Sequence, residues 1–106
     1  MSPGAGPELK RALRAWFTAL GAPLTIEALA SRPWASITFS GERHRLTLCL
    51  PAPGARAAVD AFLDGLEERE FALRGHLLAD IAAAGVEGDA DGQVRLVLEA
   101  LTVAEN

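Results

Sequence analysis

The chain has 106 residues, half of them apolar and 23% charged, with a net charge of −4. That length carries one folded domain with its own core, and the acidic balance speaks against nonspecific nucleic-acid binding. A lone cysteine, Cys49, excludes an intramolecular disulfide, and no apolar run reaches the roughly 18 residues of a membrane span.

Met1 to Gly6 is rich in Gly and Pro and reads as a disordered segment ahead of a single domain over 7–106. It lacks the charged-then-apolar order of a signal peptide, so a cytoplasmic location is expected. Leu9, Leu13, Trp16, Phe17 and Leu20 recur at helical spacing, which predicts a helix over 8–20. Pro7 and Glu8 suit its first turn, and Gly21 followed by Pro23 suits its end.

Leu24 to Arg32 alternates and reads as a strand that turns at Arg32-Pro33. Trp34 to Pro51 then reads as a hairpin closed by a type II′ turn at Gly41-Glu42. That register sets Ile37 opposite Leu46, Phe39 opposite His44 and Trp34 opposite Cys49. One face is apolar. The other carries Trp34, Ser36, Thr38, Arg43, Arg45 and Thr47, and of these Trp34, Thr38, Arg43 and Arg45 are the candidate ligand-binding residues.

Pro51 to Gly54 ends the hairpin, and Ala55, Val59, Phe62, Leu63 and Leu66 predict a second helix over 54–69. His76 to Val86 is read as a strand because Val94 to Val103 needs a hairpin partner nearby. With a two-residue turn at Asp91-Gly92, Val97 faces Val86, Glu99 faces Ala84 and Leu101 faces Ala82. The order is αβββαββ: an α+β domain with a mainly antiparallel sheet of about five strands and two helices on one face. The expected core is Leu9, Leu13, Trp16, Phe17, Leu20, Ile37, Phe39, Leu46, Leu48, Val59, Phe62, Leu66, Leu96 and Leu98.

No phosphate loop, HExxH, CxxC or GxSxG motif occurs. His76 and Asp80 fall on one side of a strand but about 13 Å apart, too far to share a metal. Cys49 and His44 fall on opposite faces of the hairpin, which disfavours a Cys–His pair within it. No catalytic residue, metal or cofactor is therefore expected. The acids are uneven, with a net +3 over residues 1–53 and −7 over 54–106, an asymmetry able to orient subunits. The final hairpin is apolar on both sides, which points to a homodimer with Val86, Val97, Leu101 and Val103 in its interface. The favoured function is a small noncatalytic bacterial-type cytoplasmic domain acting through self-association or a protein partner. The alternative is a small-molecule binding domain or enzyme with a pocket between helices and sheet.

Overall fold

Two helices and four strands alternate along the chain in a computed structural model that describes residues 4–105. They are α1 (Ala5–Leu20), β1 (Thr25–Ala35), β2 (Ser40–Leu50), α2 (Ala55–Leu63), β3 (His76–Gly88) and β4 (Val94–Ala104), with one 3-10 turn at Leu66–Glu68. Of the segment expected to be disordered, residues 1–3 lie outside those described, while Ala5 and Gly6 already belong to α1. The helix begins ahead of Pro7 because a proline in the first turn lacks only an N–H that has no intrahelical partner. It ends at Gly21, whose φ of 79° lets its own N–H and that of Ala22 reach back to the Thr18 and Phe17 carbonyls.

The strands form one sheet of order β1-β2-β4-β3, with every neighbouring pair antiparallel. The class is α+β as expected, with four strands in place of about five. The missing strand comes from the position of the first turn. Gly41 and Glu42 do not form it. They lie inside β2, opposite Trp34 and Pro33. The turn is Ser36 to Phe39, closed by the Ser36 N–H to the Phe39 carbonyl at 2.7 Å and by the Phe39 N–H to Ser36 Oγ at 3.0 Å. A local serine hydroxyl thus replaces the glycine turn. β1 runs straight through Arg32-Pro33, and the missing Pro33 N–H is tolerated because β1 is an edge strand.

The register change alters the core. Ile37 is fully exposed and Phe39 is 58% exposed, because both sit in the turn. Leu20 is exposed and Trp16 is half-buried. The other expected core residues are buried. Leu46, Leu48 and Leu50 of β2 lie opposite Leu98, Leu96 and Val94 of β4 on the helix side. Leu9, Leu13, Phe17, Val59 and Phe62 cover them from α1 and α2. Phe17 and Phe62 stack with centroids 4.9 Å apart, and Trp16 meets each ring edge-on.

α2 is shorter than the predicted 54–69. Gly65, at φ 72°, stops the helical path. Arg69 then turns back, and its guanidinium donates to the Phe62, Asp64 and Ala61 carbonyls at the helix end. It also lies 4.6 Å from the centre of the Trp16 ring.

β3 is a strand, as expected, but two bulges shift its register against β4, at Ala79 and at Ala84. The loop to β4 spans Asp89 to Gln93, where Asp89 Oδ1 accepts from the Asp91 and Gln93 N–H groups. Val97 therefore faces Gly85, Glu99 faces Ala82 and Leu101 faces Asp80, in place of the pairs set by a two-residue turn. None of the helices among the described residues is long and apolar enough to cross a membrane.

Candidate functional site

Alternation sends every second residue of each strand away from the helices. On that open side the register lines up Arg32, Arg43, Leu101 and Asp80 in one row across the sheet. The next row is Ala30, Arg45, Glu99 and Ala82, followed by Ala28, Thr47, Val97 and Gly85. On the other side of the arginine row come Trp34, Gly41, Val103 and Leu77. The middle of this face is a depression of about 460 Å³ whose walls include Arg32, Arg43, Arg45, Asp80 and Glu99.

Two ion pairs cross the face: Arg45 to Glu99 at 2.5 Å, and Arg95 to Glu27 at 2.9 Å. Both are exposed, so each adds little stability by itself. The Glu27 contact holds the Arg95 guanidinium above its ordinary pKa, chiefly by the hydrogen bond. Arg32 and Arg43 lie opposite each other on adjacent strands, and neither is in an ion pair with a described residue. Like charges so placed repel.

Of the residues expected to bind a ligand, Arg43 and Arg45 share this face. Trp34 stands at its end, where the indole N–H donates to the Thr102 carbonyl at 3.3 Å. Thr38 lies in the exposed β1–β2 turn, away from the arginines. Arg32 joins them because β1 continues past it, and Asp80 because it keeps the side of Ala82, the Ala79 bulge lying just before it. That bulge also separates His76 from Asp80, which occupy opposite faces. Val97, Leu101 and Val103 are half-buried on the open face, whereas Val86 lies opposite Leu96 on the helix side.

The buried polar groups are committed to structure. Ser31 Oγ lies 2.8 Å from His44 Nδ1, and Thr102 Oγ1 lies 2.9 Å from His44 Nε2. Thr102 spends its own proton on the Glu42 carbonyl. His44 therefore donates from Nε2 and accepts at Nδ1 as a neutral ring. Burial lowers its pKa below 6.5, with a smaller lowering from His76 and an opposing effect of the Glu42 carboxylate. Glu42 Oε1 also accepts from the Ala5 N–H and so caps α1 from the sheet. Glu8 accepts from Arg11 and from the Arg74 N–H, both at 2.9 Å, and these bonds hold its carboxyl below the usual range.

Cys49 faces the open side and His44 the helix side. His76 pairs with Ala104 while Cys49 pairs with Arg95, so they stand about 30 Å apart along β4. Neither histidine forms a nucleophilic pair with the thiol. Among the described residues no group of three or more His, Cys, Asp or Glu side chains is arranged to hold a metal. A second depression, of about 280 Å³, opens where the end of α1 meets the start of α2, and its walls are Leu, Ala, Gly and Pro alone. Comparison with protein-family models, curated proteins and solved structures finds no match.

Proposed function

We propose that this is a noncatalytic cytoplasmic domain that acts by self-association through the open face of its sheet. The observation that carries the reading is the one-sided arrangement: both helices pack on one face, and the other presents Val97, Leu101, Val103, Leu77 and Trp34 with no helix or strand of the described residues over them. Antiparallel sheets with a solvated face ordinarily alternate apolar and polar residues, but here apolar and small side chains occupy much of both faces. Apolar faces of this kind mark protein interfaces, and a twofold copy is the commonest occupant in homo-oligomers. The ligand-binding alternative has less support. The space between helices and sheet is filled by the core, and the depression at its rim offers no charged side chain to orient a ligand.

Cys49 provides the test, since it lies half-buried on the same face. Its alkylation rate should fall as protein concentration rises, and Leu101→Arg, which adds a cation beside Arg43, itself in no ion pair with a described residue, should abolish that protection while the far-UV spectrum stays unchanged. A rate independent of concentration in the parent chain contradicts the reading.

A further inference from the structure

Resting on that reading of the open face, we infer that the second copy docks sheet against sheet about a twofold axis parallel to the strands, between β2 and β4, so that Arg32 meets the partner's Asp80. The inference comes from the arrangement of charge. β1 and β2 carry the arginines of the central rows, and β4 and β3 carry the acids. The order β1-β2-β4-β3 puts the three arginines and the two acids on opposite sides of the sheet midline.

An axis along that midline lays β1 of one copy over β3 of the other, and β2 over β4. Each row then faces itself in reverse. Arg32 lies over the partner's Asp80, and Arg45 over the partner's Glu99. In the neighbouring rows Trp34 lies over the partner's Leu77, and Ala30 over the partner's Ala82. Arg32 and Arg45 thus meet opposite charge, Arg43 lies over the partner's Leu101, and the small residues let the sheets approach to the ~10 Å of packed sheets. A twofold axis perpendicular to the strands through Glu99 lacks this match. It sets Arg32 over Ala28 and Trp34 over Thr25, and leaves the arginine row without acids.

The isolated chain leaves Arg32 and Asp80 with a need that this arrangement meets. Arg32 and Arg43 repel across adjacent strands with no described carboxylate in ion-pair reach, and Asp80 is likewise in no ion pair with a described residue. In the assembly each Arg32–Asp80 contact occurs twice by symmetry. With four strands of about eleven residues, each copy offers roughly 700 Å² of sheet, close to the standard interface size.

Charge exchange separates this arrangement from self-association in general. Arg32→Asp sets acid against the partner's Asp80, and Asp80→Arg sets two arginines together, so each should weaken dimerisation tenfold or more in sedimentation equilibrium. Both side chains are exposed, so the variants should keep the parent fold by circular dichroism. The double variant Arg32→Asp/Asp80→Arg should return to within about threefold of the parent. A dimeric parent whose double variant is no tighter than the weaker single one overturns this axis and leaves the proposed function standing. A monomeric parent overturns both.

Discussion

At the scale of single residues, the polar groups of the core are committed to hydrogen bonds within the fold. His44 is 3% exposed and bonded at both ring nitrogens, so it has no free lone pair to offer a substrate. Its depressed pKa fixes a pH dependence. The unfolded chain binds a proton near pH 6.5 more readily than the folded one. The stabilisation is therefore complete above that pH and is lost as pH falls through the lower folded value. The urea midpoint should fall between about pH 7.5 and about pH 5.5, and His44→Gln should flatten that fall. An equal fall in both proteins would assign the effect elsewhere. Glu8 acts in a separate, more acidic window: its carboxyl is depressed from 4.5, so its contribution is complete above that value and is lost as pH drops through the folded one. The side chains of the first turn also show where hydrophobicity misleads. Phe62 is fully buried, and Phe62→Ala should cost about 3–5 kcal/mol in urea melts. Phe39→Ala should cost little, because its ring is largely in water; a loss comparable to that of Phe62→Ala would contradict the placement of the turn.

At the scale of elements, the sequence patterns were most legible where one face is buried throughout. β2 and β4 alternate without interruption, and their buried leucines follow from periodicity alone. α1 is equally plain. Periodicity misleads wherever an irregularity changes the side a residue faces. The bulge at Glu27 moves Leu29 to the helix side and Ala30 to the open side, and no composition cue marks it. Gly41 was the strongest false signal. A glycine between two alternating runs suggests a turn, but here it serves close approach. A Cβ there would lie 1.9 Å from the Thr102 carbonyl oxygen and 3.0 Å from the Trp34 indole nitrogen. Gly41→Val should therefore destabilise the protein by about 1–3 kcal/mol, since backbone must shift. A parent-like melt would show that β2 and β4 separate there without penalty. Arg69 was hidden for another reason: its role depends on the fold, as it closes α2 and covers Trp16 at once. Arg69→Ala should cost about 1–2 kcal/mol, and Arg69→Lys should recover only part of it, because an ammonium cannot span several carbonyls and a ring together.

At the scale of the whole molecule, the two long hairpins set the shape. The chain measures 47 × 25 × 22 Å, with a radius of gyration of 14.1 Å, against about 12.9 Å for a compact domain of this size. The excess comes from sheet that extends beyond the helices, and it enlarges the face left open. The apolar faces of the last hairpin suggested self-association, but the arginine row and its acids became visible only with the strand order. Arg32, Arg43, Asp80 and Glu99 come from four different strands, two of them with shifted register. The most direct measurement of the central claim is sedimentation equilibrium of the unmodified chain from low to high micromolar concentration. Self-association through the open face predicts a mass that rises to twice 11.1 kDa. A mass that stays at 11.1 kDa throughout that range would contradict it.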